Sequence, residues 1–318
     1  MIGIKNVASF IPEYALDNLT RVAEFGESQD FIEKKIGALK LPRKGESEET
    51  SDLAVKAIHQ LLKSSEGLEL TSIDALVVVT QNGDGEGLPH TSAIVQAKMG
   101  LPKTIAAFDV SLGCSGYVYG LHVLKGFMES AGLKNGVLVT ADPYSKIIDS
   151  GDKNTSLLFG DAATATWLGY SPSWLIGPAL FGTDGEGEEA LKTNDAILTM
   201  NGRQVFDFAA KNIAPNIKAL LTKVAMEEGE VDAFCIHQGS YAIVDSISRR
   251  FKENKHKFIR DVVNTGNTVS SSIPLIFEKH VLGSDLKTIV ISGFGVGFSW
   301  ATSMLIKIPH DSFNRGIQ

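Results

Sequence analysis

Stretches of apolar residues at helical spacing alternate with short, wholly apolar runs along most of the chain. Residues 51–64 predict an amphipathic helix, because their apolar side chains recur on one face. Residues 76–79 are all apolar, which is typical of a strand that is buried on both faces of a sheet. Three further elements follow: a strand over 104–110, a helix from Tyr117 that stops at Gly132, and a strand over 136–140. This alternation predicts a sheet with parallel strands, covered by helices.

The same order of elements returns in the second half of the chain. Residues 231–238 match residues 73–80 in pattern, including an Asp-Ala pair at the second and third positions. The same shift along the chain predicts two further strands, over 258–263 and 287–292. One match alone would be chance, but several elements in a shared order indicate a duplication. We therefore expect an α/β fold of two similar halves, residues 1–172 and 173–318.

One uncharged segment, residues 288–306, has the length of a membrane span. Three glycines and several hydroxyl residues interrupt this segment, so two buried strands joined by a glycine-rich turn explain it better. The first residues of the chain lack the basic and apolar regions of a signal peptide. We expect a cytoplasmic protein that does not enter a membrane.

Composition and charge exclude several classes of protein. Of the 318 residues, 43% are hydrophobic and 21% are charged, which indicates a well-packed protein and not a disordered chain. The formal net charge of −7 is unfavourable for coating nucleic acid. The two cysteines, Cys114 and Cys235, cannot form a disulfide framework, and there is no CxxC pair to suggest a metal site. A reducing compartment fits this cysteine content.

Cys114, His237 and Asn267 are the candidate catalytic residues. Cys114 lies between a predicted strand and a helix, where unpaired backbone N–H groups favour a thiolate. His237 ends the corresponding strand of the second half, and Asn267 follows the strand equivalent to the one before Cys114. Each residue alone also has an ordinary structural explanation, as a buried thiol, a satisfied histidine or a turn residue. Together they occupy strand ends that converge at the centre of a duplicated sheet, where a thiol, an imidazole and an amide form a catalytic set.

The chain resembles the β-ketoacyl-[acyl-carrier-protein] synthase III family of the thiolase superfamily over nearly its whole length. Six motifs occur in the family's order: FDVSLGCSGYVYGL (108–121), SLLFGDAATA (156–165), LTMNGRQVFDFA (198–209), CIHQ (235–238), NTGNTVSSSIP (264–274) and SGFGVGFSW (292–300). The resemblance implies a thiolase-like fold, a duplicated five-layered αβαβα architecture. It also implies that Cys114, His237 and Asn267 form the catalytic triad.

The resemblance further implies a reaction in two halves. Cys114 takes an acyl group from acyl-CoA, and His237 and Asn267 then stabilise the enolate formed when a malonyl-acyl-carrier protein loses carbon dioxide. The backbone N–H groups of Cys114 and Val296 would form an oxyanion hole. No metal or redox cofactor is needed, and the protein is expected to be a homodimer.

The family's pattern is altered around the triad. Val296 stands within the usual glycine triplet, Ala242 replaces the arginine of the carrier-docking helix, and Leu88 replaces an aromatic gate that crosses the dimer. Leu88 and Phe294 are expected to shape the acyl pocket. The expected CoA-binding residues are Phe31, in place of a tryptophan that stacks on adenine, Lys153, in place of its arginine companion, Lys35, and Ser240, which follows Gly239 where the family has Ala-Asn.

A basic segment after the catalytic histidine is the candidate docking site for an acidic carrier protein. Its residues are Arg249, Arg250, Lys252, Lys255 and Lys257. A solvated helix face is the ordinary explanation of such a run. Two other functions also stay open: an acyltransferase of a specialised pathway that uses an amine, alcohol or other nucleophile, and a non-catalytic partner subunit of a condensing heterodimer. The intact triad argues against the second.

Overall fold

A mixed β-sheet with helices packed on it forms the core of the protein. The structure is a computed structural model that describes residues 1–85 and 87–309. The strands are β1 (Ile2–Phe10), β2 (Ala15–Asp17), β3 (Lys40–Pro42), β4 (Ala75–Val79), β5 (Ala106–Val110), β6 (Asn135–Ala141), β7 (Ala163–Tyr170), β8 (Trp174–Thr183), β9 (Leu191–Asn194), β10 (Ile197–Met200), β11 (Ala233–Ile236), β12 (Thr288–Gly295) and β13 (Ser299–Lys307). The helices are α1 (Gln29–Phe31), α2 (Thr50–Ser64), α3 (Thr91–Met99), α4 (Gly116–Ala131), α5 (Lys153–Ser156), α6 (Gly202–Lys223), α7 (Tyr241–Ser248) and α8 (Ser272–His280).

Within the described residues, nine strands join into one sheet in the order β11-β12-β13-β8-β1-β7-β6-β4-β5. The sheet consists of two sets of strands, because β1 and β8 are linked only by the pair Ile4 and Trp174. In the first set β4 is parallel to β5 and β6, and in the second β11 is parallel to β12. The other neighbours in each set are antiparallel.

Five layers follow from the way the helices cover the two sets of strands. Helices α2 and α3 cover the outer face of the first set, and α6 and α7 cover the outer face of the second. Helices α4 and α8 lie between the two sets and contact both of them. This is the αβαβα order that the resemblance implied.

Most of the elements that the hydrophobic pattern predicts are confirmed. Helix α2 covers the predicted segment 51–64, and strands β4 and β6 cover the predicted apolar runs. Strands β5 and β12 also form where they were predicted, but β5 begins two residues later, at Ala106, and β12 one residue later, at Thr288. Helix α4 ends at Gly132, which has a φ of 70°, a conformation that glycine readily adopts. The N–H of Gly132 donates to the carbonyl of Met128 in the last turn of the helix. The uncharged segment 288–306 forms the hairpin of β12 and β13. No helix in the described part of the chain has the length and apolarity to cross a membrane.

The strand predicted at 258–263 is wrong. Phe258 forms a single parallel bridge with Phe234, and the chain then leaves the sheet. The side chain of Gln238 takes the place of a strand neighbour: its Nε2 donates to the carbonyl of Ile259 at 3.1 Å, and its Oε1 accepts from the N–H of Asp261 at 3.0 Å. A side chain therefore satisfies the backbone groups that a longer strand would have paired.

Candidate active site

The structure brings the three predicted catalytic side chains to one cavity of about 300 Å³. Cys114, His237 and Asn267 all line this cavity, although they come from three loops in different halves of the chain. Its wall is mostly apolar, and the other lining residues are Phe31, Lys35, Ile36, Lys153, Asn154, Leu158, Phe159, Leu191, Met200, Gly202, Val205, Phe206, Gly239, Ser240, Ala242, Ile243, Phe294 and Gly295. We call this space the catalytic cavity.

Cys114 lies in the turn between β5 and α4 and is 4% exposed. Strand β12 passes very close to it. A Cβ atom at position 295 would lie 2.9 Å from both the Cβ and the Sγ of Cys114, and one at position 293 would lie 2.6 Å from the Cys114 carbonyl oxygen. Glycine at these two positions therefore lets the second half of the chain approach the sulfur.

Burial raises the pKa of the Cys114 thiol, and the nearby Asp142 carboxylate raises it further. The start of α4 acts in the opposite direction, because its free N–H groups favour an anion. Burial is the largest of these effects, so the pKa of the thiol lies above its ordinary value and the thiol is protonated at neutral pH. The prediction of a thiolate at this helix start considered only the second effect.

His237 follows β11 and is held on both sides of its ring. Its Nδ1 lies 2.7 Å from the Oγ of Ser272, and its ring packs edge-on against Phe294 with 5.4 Å between centroids. Burial lowers the pKa of His237 to about 3, while a hydrogen bond with the Val269 backbone works against this shift. The imidazole is therefore uncharged at physiological pH.

Asn267 is oriented by its own loop. Its Oδ1 accepts from the N–H of Val269 at 2.9 Å, and its backbone pairs with the Phe159 segment of the first half. Since the amide oxygen is occupied, the Nδ2 hydrogens are left as donors for the catalytic cavity. The neutral ring of His237 and this amide line the same cavity as Cys114.

Asp142 is a buried carboxyl that the sequence reasoning missed. It accepts hydrogen bonds from the Oγ1 of Thr80 at 3.0 Å, the N–H of Gln81 at 2.8 Å and the Oγ of Ser270 at 2.9 Å. Burial raises the pKa of Asp142 to about 7, despite these donors. The bond to Ser270 ties the end of β6 to the loop that carries Asn267. No sequence motif marks this residue, because its partners come from distant segments.

The four predicted CoA-binding residues line the catalytic cavity. The Nζ of Lys153 lies 5.7 Å from the centroid of the Phe31 ring and forms an ion pair with Glu27 at 2.5 Å. Lys35 is exposed. The hydroxyl of Ser240 accepts from the N–H of Ile243 and so caps α7.

The two residues predicted to shape the acyl pocket lie in different places. Phe294 lines the catalytic cavity, whereas Leu88 is 90% exposed and is not part of the wall in its own chain. Val296, predicted for the oxyanion hole, packs in the same apolar cluster as Cys114. Sequence reasoning assigned no role to the apolar wall residues Met200, Val205 and Phe206, although the motif that contains them was recognised.

The basic segment, Arg249–Lys257, forms two short 3₁₀ turns that meet at a kink at Lys252, outside the catalytic cavity. Arg249 pairs with Asp245 at 2.7 Å, and the Nζ of Lys257 donates to two backbone carbonyls, those of Gly229 and Val231. These two side chains therefore already have partners within the protein. Arg250, Lys252 and Lys255 are exposed and have no carboxylate partner within 1–85 and 87–309.

Metal-ligating side chains do not cluster in the described residues: no three His, Cys, Asp or Glu side chains are placed to hold a metal ion. The two cysteines are both free and buried. The catalytic cavity is lined by the Cys114 thiol, the neutral imidazole of His237 and the Asn267 amide, with Lys35, Lys153, Asn154 and Ser240 among its other polar residues.

The chain is similar to known synthases over nearly all of its length. Family models described as 3-oxoacyl-[acyl-carrier-protein] synthase III and its C-terminal domain match residues 108–185 and 221–308. The β-ketoacyl-[acyl-carrier-protein] synthase III of Streptococcus thermophilus is 32% identical, and the match covers 96% of this chain and 98% of that protein. The corresponding protein of Lactococcus lactis subsp. cremoris is 31% identical, with 95% and 98% covered.

Solved structures agree with the sequence comparisons. The crystal structure of β-ketoacyl-[acyl-carrier-protein] synthase III from Thermus thermophilus superimposes with a TM-score of 0.88 at 29% identity, covering 96% of this chain and 99% of that one. The fold is thus thiolase-like. The chain belongs to the 3-oxoacyl-[acyl-carrier-protein] synthase III family.

Proposed function

We propose that the protein is an acyltransferase that forms an acyl-Cys114 intermediate from acyl-CoA and condenses it with malonyl-acyl-carrier protein. The product is a 3-oxoacyl-carrier protein, and carbon dioxide is released. The observation that carries this proposal is the meeting of Cys114, His237 and Asn267 in one apolar cavity. Neither a metal nor a redox cofactor takes part.

In the first half-reaction the Cys114 sulfur attacks the thioester carbon of acyl-CoA. The backbone N–H groups of Cys114 and Val296 stabilise the oxyanion of the tetrahedral intermediate. The bond to the CoA sulfur then breaks, and CoA leaves with the proton that the cysteine gave up. An acyl-enzyme remains.

In the second half-reaction the malonyl group loses carbon dioxide and becomes an enolate. The amide hydrogens of Asn267 and the neutral ring of His237 stabilise its oxygen, since both line a cavity whose wall is mostly apolar. The enolate carbon attacks the acyl carbon, and the bond to Cys114 breaks. The thiolate that leaves takes up one proton.

Phe31, Lys35, Lys153 and Ser240 are proposed to contact CoA at the mouth of the cavity. The ion pair with Glu27 weakens the attraction of Lys153 for phosphate, so Lys35 is the freer cation of the two. For the carrier protein we propose docking on the basic segment, mainly through Arg250, Lys252 and Lys255, with smaller contributions from Arg249 and Lys257, which are already bonded.

We also propose a homodimer that forms through β5. This strand ends the sheet, so its outer backbone groups have no neighbouring strand within the described residues, and all five of its residues are half-buried. Asp109 accepts from the N–H groups of Thr91 and Ser92, which holds the start of α3 and the loop before it beside this edge. Leu88, exposed on that loop, is then placed to reach the acyl pocket of the partner.

We propose that the two similar halves of the chain, residues 1–172 and 173–318, arose by a duplication. The proposed boundary falls in the turn between β7 and β8. The first half would supply the nucleophile and the second the two donors. Two free cysteines suit the reducing cytoplasm that we propose as the location.

Intact-protein mass spectrometry after incubation with a panel of acyl-CoAs tests the first half-reaction. We expect a mass gain that is lost in Cys114→Ala and kept in Cys235→Ala, because Cys235 is buried inside β11. Uptake of acyl groups by Cys114→Ala would show that another residue is the nucleophile. Addition of malonyl-carrier protein, or of amine and alcohol acceptors, then distinguishes condensation from transfer in a specialised pathway.

Asn267→Ala tests the division between the half-reactions. Its Nδ2 donors are assigned to the malonyl step, so Cys114 should still be acylated. Decarboxylation of malonyl-carrier protein should fall by roughly a hundredfold to a thousandfold, as when an oxyanion donor is lost. An equal loss of acylation would contradict this assignment.

A further inference from the structure

The hydroxyl of Ser272 sits between His237 and the backbone of the next residue. Ser272 is the first residue of α8 and is buried. Its Oγ lies 2.7 Å from the Nδ1 of His237 and 3.4 Å from the N–H of Gln238. A serine hydroxyl has one hydrogen to donate and two lone pairs that accept.

The backbone N–H of Gln238 can only donate, so it occupies a lone pair of the Ser272 oxygen. The hydrogen of the hydroxyl then needs an acceptor, and the Nδ1 of His237 is the one that the described residues offer. Because a buried donor without an acceptor is costly, this hydrogen points at Nδ1. Nδ1 therefore accepts and carries no hydrogen of its own.

The position of the Gln238 backbone is itself fixed. The side chain of Gln238 donates to the carbonyls of Ile236 at 2.8 Å and Ile259 at 3.1 Å, and accepts from Asp261 at 3.0 Å. The N–H that points at Ser272 belongs to this rigid segment. The direction of the hydrogen bonds is thus set by the backbone, and not by the imidazole.

We propose that Ser272 is a positioning residue that selects the ring tautomer of His237 in which Nε2 carries the hydrogen. A neutral imidazole has one N–H, and Nδ1 is the acceptor, so Nε2 is the donor. This inference rests on the proposed function for its catalytic meaning: in that tautomer Nε2 donates to the enolate oxygen of the malonyl step. In the other tautomer the lone pair of Nε2 would repel the enolate oxygen.

Nitrogen-15 NMR of histidine-labelled protein reads the tautomer without any assay of activity. The His237 signals are assigned by their loss in His237→Asn. In the unaltered protein we expect a protonated Nε2 and an unprotonated Nδ1. The opposite pattern would overturn the proposal by itself, whether or not the protein condenses acyl groups.

Two variants of nearly equal shape isolate the hydroxyl. Ser272→Thr keeps the O–H and Ser272→Val replaces it with a methyl group, while both add the same volume. We expect Ser272→Thr to retain the tautomer and Ser272→Val to give a mixture of both forms. Decarboxylation should be about tenfold slower in Ser272→Val than in Ser272→Thr, as for the loss of one hydrogen bond. Acylation of Cys114 should be equal in the two.

Ser303→Ala is the matched control, because Ser303 is also buried and its Oγ lies 3.0 Å from the Nε2 of His122, far along the chain from the cavity residues. We expect it to change the signals of His122 and to leave those of His237 and both half-reactions unaltered. If Ser272→Val matches Ser272→Thr in tautomer and in decarboxylation, Ser272 does not position His237. Absence of acylation in every variant would instead count against the proposed function.

Discussion

Two electrostatic effects of opposite sign act on the thiol of Cys114. Burial and the Asp142 carboxylate raise its pKa, and the start of α4 favours the thiolate. His237 does not add a positive charge, because burial lowers its pKa to about 3. The buried surroundings therefore keep the resting sulfur protonated, and the thiolate must form when the substrate is bound.

The pH dependence of acylation tests this balance. Below its raised pKa, the thiolate fraction grows with pH, so the rate of Cys114 acylation should rise between about pH 6 and 8.5. The rise should be shallower near pH 7, because Asp142 ionises there and its carboxylate raises the pKa of the thiol. His237 is neutral throughout this range and should add no inflection. Stopped-flow release of CoA measures the rate. A plateau above neutral pH would show that the helix start outweighs burial.

A second residue-scale prediction concerns the glycine that touches the sulfur. In Gly295→Ala the new methyl group would lie within 2.9 Å of the Cys114 side chain, which must then move. Overpacking of this kind costs about 1–3 kcal/mol, so acylation should slow by about tenfold or more. Mass spectrometry over time gives the rate.

Gly126→Ala is the control for that substitution. Gly126 is an exposed residue of α4, and a methyl group added there would meet nothing within 4 Å. Alanine there should stabilise the helix by about 0.5–1 kcal/mol and leave acylation unchanged. Equal acylation rates in Gly295→Ala and Gly126→Ala would mean that the protein accommodates the methyl group at position 295 without moving the Cys114 sulfur.

At the scale of elements, we expect the loop that carries Leu88 to determine which lengths of acyl chain the protein accepts. Leu88 is shorter and more flexible than an aromatic gate, so primers longer than acetyl should be accepted. Each added methylene is worth about 0.8 kcal/mol, or roughly fourfold in affinity. Leu88→Phe should shift the preference towards acetyl-CoA, measured as relative acylation by a panel of acyl-CoAs.

The control for Leu88→Phe is Ile306→Phe, which adds a ring at a residue of β13 that is 38% exposed and should not alter the preference. Val296 packs in the cluster around Cys114 and limits the space there, so a modest chain length is expected. A protein that already prefers acetyl-CoA, and is unaffected by Leu88→Phe, would place the end of the acyl pocket elsewhere.

At the scale of the whole molecule, the open edge of the sheet determines the proposed assembly. Ala106 donates its N–H to Asp74 on the β4 side, and the alternation of a strand then turns the N–H of Ala107 outward. Ala107→Pro should therefore keep the fold and disrupt the dimer, because proline removes only the outward donor. Analytical ultracentrifugation measures the mass, and circular dichroism monitors the fold.

Ala106→Pro provides the contrast for that experiment. It removes the hydrogen bond from the Ala106 N–H to the Asp74 carbonyl and should lower the free energy of unfolding by about 1–3 kcal/mol. A dimer that survives Ala107→Pro unchanged would exclude pairing through β5. Loss of acyl-chain selectivity on dissociation would support a contribution of Leu88 from the partner.

Sequence alone determined the elements that depend on local pattern. The apolar runs of β4 and β12 and the apolar face of α2 are buried in the structure. Their hydrophobic periodicity was therefore sufficient to predict them as strands and a helix. The motifs around Cys114, His237 and Asn267 were also sufficient to identify the family, because each motif is a contiguous stretch of chain. The strand at 258–263 failed because the competing partner, Gln238, lies about twenty residues away.

Only the tertiary structure decided the electrostatics of the site and the shape of its wall. The pKa of Cys114 depends on its burial by residues from both halves of the chain and on the Asp142 carboxylate. These groups are not adjacent to Cys114 in the sequence. The hydrogen bond that orients His237 comes from Ser272, thirty-five residues along the chain, and its direction requires three-dimensional geometry. Local patterns record which face of a segment avoids water, whereas a catalytic environment is the sum of contacts between segments that meet only in the folded chain.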